Sequence, residues 1–266
     1  MRKALCYAHI FAMNNSNPES QWFGTESVAP DEKTRKVLGV FDSVASKYDV
    51  MNDAMSLGIH RIWKDKFIEE IAPRPGQACL DVAGGTGDIA FRLHARTQGK
   101  SPITVSDINA SMLEVGQDRA IDRGITSGLD FVTANAEKLP FPDNSFDIYT
   151  IAFGLRNVTH IDDALREACR VLKPGGRFWC LEFSQVKNPL LSKGYDLYSQ
   201  HLIPHMGQLI AQDKESYKYL VESIRKHPNQ ENLRDRIKQA GFNNAWFKNM
   251  SFGVVAIHTG QKPKSA

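Results

Sequence analysis

The chain has 266 residues, of which 42% are apolar and 24% charged. That balance excludes a disordered or fibrous chain and suits one sizeable α/β domain or two small ones. The formal charge of +3 is too mild to make nucleic acid the expected partner, though it is compatible with docking on an anionic membrane surface.

No apolar run is long enough to read as a membrane span. The four cysteines (Cys6, Cys79, Cys169 and Cys180) form no CxxC pair and no Cys/His cluster with zinc spacing, so no metal is expected. Cys79 and Cys180 sit in apolar runs, where a thiol packs as a small hydrophobe, and a reducing compartment follows.

Residues 1–32 are polar and lack a period, and read as a leader or flexible tail. Their acid-free start, with Arg2 and Lys3 ahead of the first acid at Glu19, has the character of a short transit peptide. Residues 33–262 read as one domain. Over 33–72 apolar side chains recur at helical steps (Val37, Val40, Phe41, Val44, Tyr48, Met51), and Pro73 to Gly76 ends the run. Strands are then predicted at 78–83, 103–105, 129–132, 146–152 and 177–183, with helices at 89–95, 111–123 and 161–172 between them. Such alternation predicts βαβ units and a mostly parallel, doubly wound sheet. Residues 189–227 are helical and rich in aromatics, and 231–240 form a further helix stopped by Gly241. The strands 245–249 and 252–258, with a tight turn near Ser251, predict an antiparallel hairpin at the edge of the sheet.

The segment Leu80-Asp-Val-Ala-Gly-Gly-Thr-Gly-Asp88 takes a strand through a glycine turn into a helix. Glycines admit a ligand close to the backbone, and the helix start offers unpaired N–H groups to an anion. Asp107, about twenty residues on, ends the next strand, where its carboxylate can accept both ribose hydroxyls of an adenosine. Gly85-Thr-Gly87 with Ala90 also satisfies the dinucleotide fingerprint. The order Asp81-x-Ala-x-Gly85-x-Gly87 and the position of the loop deep in the chain favour S-adenosyl-L-methionine, with Asp81, Gly85, Thr86 and Gly87 at its methionine end. Asn135 and Ala136 follow the third strand, beside the expected adenine. Phe153 to Asn157 follow the fourth, over the crevice of a doubly wound sheet.

Tyr48 to Asp53 with Ser56 and His60 to Trp63, Thr150 to Thr159, and Arg170 to Gly176 resemble motifs of the quinone C-methyltransferase family of ubiquinone and menaquinone biosynthesis. The likeness runs from about Val40 to Gly260, and Leu181 to Val186 and Leu220 to Arg225 look like its mitochondrial branch. The resemblance implies an α/β class I methyltransferase (Rossmann-like) fold, with a mostly parallel seven-stranded sheet ending in an antiparallel hairpin. It implies C-methylation of a 2-methoxy-6-polyprenyl-1,4-benzoquinol with S-adenosyl-L-methionine as co-substrate. It places cofactor contacts on Thr86, Asp107, Asn135 and Ala136. It also implies peripheral contact with the matrix side of the mitochondrial inner membrane, a multi-subunit coenzyme Q synthesis complex, and compatibility with a homodimer.

Methylating a ring carbon asks for loss of a hydroxyl proton and a group to hold the developing negative charge. Arg156, Asn157 and Tyr48 are the catalytic candidates, Arg156 as the charged group over the crevice. His60 has a suitable intrinsic pKa, but on a helix with Trp63 local packing is its ordinary role. The aromatic-rich stretch with Leu190, Leu191, Tyr195, Tyr198, Leu202 and Met206 suits either a prenyl channel or ordinary core packing. His201 and His205 there have helical spacing but no third ligand for zinc. Three rivals are weighed. An NAD-dependent oxidoreductase lacks a Tyr-x-x-x-Lys here. An amino-methylating nucleic-acid enzyme would carry Pro-Pro-aromatic where Phe153 to Asn157 stand. A cofactor-binding scaffold is disfavoured by the intact loop, Asp107 and Arg156.

Overall fold

Register and alternation explain most of the architecture. The computed structural model describes residues 21–23, 26–44, 53, 56, 58–186 and 214–264. Strands β1 (Gln21–Phe23) and β2 (Glu26–Val28) pair antiparallel inside the stretch expected to be a tail. Contacts distant in sequence hold them: Phe23 stacks on Tyr219 with centroids 4.3 Å apart, and Lys226 lies 3.7 Å from the centroid of the Trp22 ring. Helix α1 (Pro30–Val44) starts before residue 33 because proline suits the first helical position and Asp31 and Glu32 favour a helix start.

The helical pattern expected over 33–72 is interrupted at Gly58, which is left-handed (φ 77°). Helix α2 (Ile59–Ile71) buries Trp63, Phe67, Ile68 and Ile71 on one stripe. It ends where Ala72 turns left-handed (φ 45°) before Pro73. There follow β3 (Cys79–Val82), α3 (Asp88–Arg96), β4 (Ile103–Asp107), α4 (Ala110–Asp122), β5 (Leu129–Thr133), β6 (Phe146–Ala152), α5 (Ile161–Val171) and β7 (Leu172–Phe183). After residue 213 come α6 (Lys214–Lys226), α7 (Gln230–Gln239), β8 (Asn243–Met250) and β9 (Val255–Gln261).

The sheet has seven strands in the order β5-β4-β3-β6-β7-β9-β8. The first five strands of that order pair in parallel, and β9 and β8 are antiparallel, with β9 placed beside β7 and β8 at the edge. This is the predicted class I methyltransferase architecture. Side-chain alternation then divides the core between two faces. Leu80 and Val82 pack with Tyr149, Leu165 and Ile237 on one side. Cys79 packs with Phe67, Leu93, Ile103 and Trp179 on the other. Cys79 and Cys180 are fully buried thiols, as their apolar surroundings predicted. The chain runs outward from β3 through β4 to β5 and returns to β6 on the opposite side of β3, which opens a crevice above the carboxyl ends of these strands.

Candidate active site

The crevice is floored by two turns pressed together. Because β3 and β6 pair in parallel with Asp81 opposite Thr150, the turns that follow them lie side by side. Each begins with a non-glycine residue in the left-handed region, Ala83 (φ 51°) and Phe153 (φ 55°), a conformation sustained only where the surroundings over-determine it. Contact is so close that a Cβ on Gly154 would stand 2.4 Å from that of Ala83, and one on Gly84 would stand 2.6 Å from Val105 Cγ1.

Asp107 holds the loop from the other side. Gly85 N–H donates to its Oδ2 at 2.9 Å and Asn109 N–H to its Oδ1 at 2.9 Å. Burial raises the pKa of the carboxyl, and these amides oppose the rise. Each oxygen keeps a second lone pair, so the fixed carboxylate can still accept ligand hydroxyls. Asn109 also caps α4 by accepting from Met112 N–H at 3.1 Å, which fixes Met112 at the wall.

Three of the residues expected at the cofactor lie beneath or behind the loop instead. Asp81 is buried and accepts from Thr150 Oγ1 at 2.8 Å, and its Oδ2 has no partner among the described residues. Burial pushes its pKa up to about 7 against the help of that hydroxyl. Thr86 is buried and accepts from Arg119 Nη1 at 2.9 Å. Gly87 opens α3 with the Phe91 ring packed against it.

The cleft itself brings together Gly85, Asp107, Asn135, Ala136 and Asn157. Asn135 Oδ1 accepts from Glu137 N–H at 2.9 Å, and Glu137 in turn accepts from the N–H groups of Thr159 (2.9 Å) and His160 (3.1 Å). The turn after β5 is thereby tied to the chain after β6. Helix α1 adds a wall that sequence reasoning did not assign to the cofactor: Thr34, Val37 and Leu38 line the cleft. Lys33 Nζ donates to the Val158 carbonyl at 2.9 Å, and the Thr34 and Thr159 hydroxyls are 3.2 Å apart. The helical period of Val37 was the signal available. The apolar stretch of Val37, Leu38, Ile108, Met112 and Phe153 beside a few polar groups suits a flat, partly apolar ligand.

Of the catalytic candidates, Tyr48 lies outside the described residues, as do the prenyl-channel stretch, His201 and His205. Arg156 and Asn157 sit on a single 3₁₀ turn (Leu155–Asn157). Arg156 does not line the cleft as expected. Its guanidinium is buried, pairs with Glu182 at 2.9 Å and also donates to the Phe153 carbonyl. Glu182, at the end of β7, is buried too and can be satisfied only by such a cation and nearby amides, so it draws the arginine away from the crevice. Asn157 lines the cleft, and its Oδ1 accepts from Tyr219 of α6 at 3.0 Å. Nothing in the sequence signals that partnership, because the two residues lie on separate elements. His60 is buried 2.8 Å from Asp53, its pKa lowered by burial, and it does not line the cleft. Trp63 of the same helix packs near Phe153 and Phe183, with centroids 6.3 and 6.2 Å away. Glu137, His160 and Asp163 bring candidate ligand atoms within 4.8 Å of one another, but Glu137 already serves the loop amides.

Comparison with known proteins decides the family. Residues 29–262 match the ubiE/COQ5 methyltransferase family. The chain belongs to that family. It is 54% identical to the mitochondrial 2-methoxy-6-polyprenyl-1,4-benzoquinol methylase of Mus musculus, over 90% of this chain and 84% of that one. It is 56% identical to the ubiquinone/menaquinone biosynthesis C-methyltransferase UbiE of Ruegeria sp. (strain TM1040), over 94% of this chain and all of that one (100%). A SAM-dependent methyltransferase from Thermotoga maritima shares the fold with a TM-score of 0.60 at 18% identity, covering 84% of this chain and 99% of that one. Membership of the ubiE/COQ5 family agrees with the resemblance carried by Tyr48 to Trp63 and Thr150 to Thr159. The ubiE/COQ5 match takes in α1, so the helix that walls the cleft is part of the family unit.

Proposed function

We propose that this chain methylates a ring carbon of 2-methoxy-6-polyprenyl-1,4-benzoquinol with S-adenosyl-L-methionine, a step of ubiquinone synthesis. The observation that carries the reading is the 54% identity, over 90% of the chain, to a mitochondrial methylase of that name. The cleft fits the co-substrate. Asp107 accepts the ribose hydroxyls, Asn135 and Ala136 border the adenine, and the turn at Gly85 borders the methionine end. Asp81, buried beneath the loop and bonded to Thr150, supports the turn from below.

When bound, S-adenosyl-L-methionine supplies an electrophilic sulfonium methyl, a chemistry that draws on no metal. The chain's own residues act on the acceptor ring. Once Tyr219 holds Asn157 Oδ1, the amide nitrogen is left to donate to the ring oxygen that gains charge as its proton leaves. Tyr48 is the partner we assign to that proton. Arg156 is a positioning residue in this reading: its pair with Glu182 fixes the 3₁₀ turn that presents Asn157. A mitochondrial location is part of this reading, supported by likeness to relatives named as mitochondrial. No described helix is long and apolar enough to cross a membrane, and the same reading includes peripheral attachment at the matrix face beside other enzymes of the pathway.

The test is turnover with labelled S-adenosyl-L-methionine and a short-chain 2-methoxy-6-prenyl-1,4-benzoquinol, comparing wild type with Asn157→Ala. Methyl transfer to the ring carbon, with kcat lowered at least about tenfold and co-substrate affinity kept in the variant, is expected. No ring methylation by a wild type that binds the co-substrate would overturn the reading.

A further inference from the structure

A second cavity, of about 440 Å³, lies behind the active-site turn among β1, α1, α5, α6 and α7. Val158 and Thr159 line both it and the cleft, so one stretch of chain is the wall between them. Its chemistry differs from that of the cleft. Five lysine and arginine side chains (Lys33, Arg156, Arg166, Lys226 and Arg236) face two carboxylates, Asp162 and Asp163.

Those carboxylates are matched by Arg236 at 3.2 Å and by Arg166. The remaining donors are short of acceptors. Lys33, 7% exposed, gives one bond to the Val158 carbonyl and has two further protons to place. Arg156 pairs with Glu182 through Nη1, while its buried Nε has no acceptor. Lys226 rests on the Trp22 ring and has no carboxylate partner among the described residues. Most telling is His227, 5% exposed, with both ring nitrogens unpartnered. Burial above all, with Arg156 and Arg236, holds its pKa down to about 3, so it is neutral and carries an unused N–H. Leaving so many buried donors unsatisfied is costly, and native structures rarely do it.

We propose that this cavity binds a phosphate monoester or phosphate headgroup. Donors from several walls call for a compact anion with three terminal oxygens, which a phosphate presents and a two-oxygen carboxylate does not. The donors run from buried Lys33 and His227 to exposed Lys226 and Arg166, a gradient that admits the charged end of a ligand from solvent. A free phosphate and a lipid headgroup share this chemistry. The ligand would bear on Arg156 and, through Tyr219, which also lines the cavity, on Asn157.

Binding is measured on the full chain without methyl donor, so the outcome does not depend on the methylation reading. One arm titrates inorganic phosphate by calorimetry. The other sediments the protein with phosphatidylcholine vesicles with and without phosphatidic acid. Lys33→Gln is expected to weaken binding about tenfold, the size of one charge-assisted hydrogen bond. Lys226→Gln, at the exposed end, should weaken it a few-fold, and exposed Lys100→Gln should leave it unchanged. In wild type, bound phosphate should raise the His227 pKa, read from its ring resonances. Loss in the phosphate arm identifies a soluble ligand, and loss confined to the vesicle arm identifies a lipid headgroup. No binding in either arm, or equal binding by wild type and both cavity variants, overturns the proposal.

Discussion

Burial keeps the Asp81 carboxyl protonated up to about pH 7, with one oxygen on Thr150 and the other facing the underside of the glycine loop. The folded-state pKa lies above the unfolded value of 3.8. The folded chain therefore keeps a proton that the unfolded chain has lost, and stability falls as pH rises between those two values. Urea unfolding at pH 5 and pH 8 should show wild type losing on the order of a few kcal/mol more than Asp81→Asn across that interval. Equal losses would mean that Asp81 ionises normally in the fold. The sequence showed an acid ahead of a glycine turn and so pointed to the right loop. It could not show whether the carboxylate faces a ligand or supports the turn from below, because that depends on Thr150, which only strand pairing brings near. Arg156 illustrates the same limit: its partner Glu182 belongs to another strand.

The elements were legible where a local period or a breaker marks them. Strands β3 to β6 lie within two residues of the expected spans, since each carries its own apolar run, while β7 begins at Leu172, five residues ahead of the expected start. The β1–β2 hairpin was not legible, because Phe23 and Trp22 find their partners on α6. That helix also reaches the site through Tyr219, whose hydroxyl orients Asn157 and whose pKa burial pushes up to about 12. Tyr219→Phe keeps the ring stack and removes only the donor. Stability should fall by about 1 kcal/mol and kcat several-fold, with co-substrate affinity unchanged, as read by urea unfolding, turnover and calorimetry. A loss of affinity instead would place Tyr219 with the cofactor. Gly154→Ala tests the contact between the turns after β3 and β6. Its added methyl group meets Ala83, so a cost of about 1–3 kcal/mol is expected, together with weaker co-substrate binding. A variant as stable as wild type would show that the turns can part freely.

For the molecule as a whole, the reversal of strand order at β3 opens the crevice, and the glycine loop and Asp107 stand at the end we propose for the co-substrate. Because a ligand that binds only the folded state stabilises it by mass action, S-adenosyl-L-methionine at a hundredfold excess over Kd should raise stability by about 2.7 kcal/mol. A rise in thermal midpoint for wild type and none for Asp107→Ala at the same concentration is the expected pattern, and equal rises would remove Asp107 from the site. The family motifs located this cleft, while the wall contributed by α1 emerged only from the fold. Helix α1 is fastened to the wall by the Lys33 bond to Val158 and the hydroxyl contact between Thr34 and Thr159. A helix that contributes one wall of the cleft can move on a tempo of its own. Release of spent co-substrate past that helix, rather than chemistry, is expected to pace the cycle. A rapid first turnover followed by a slower steady rate would reveal it, and uniform progress from the first moment would show that the bond-making step is the slow one.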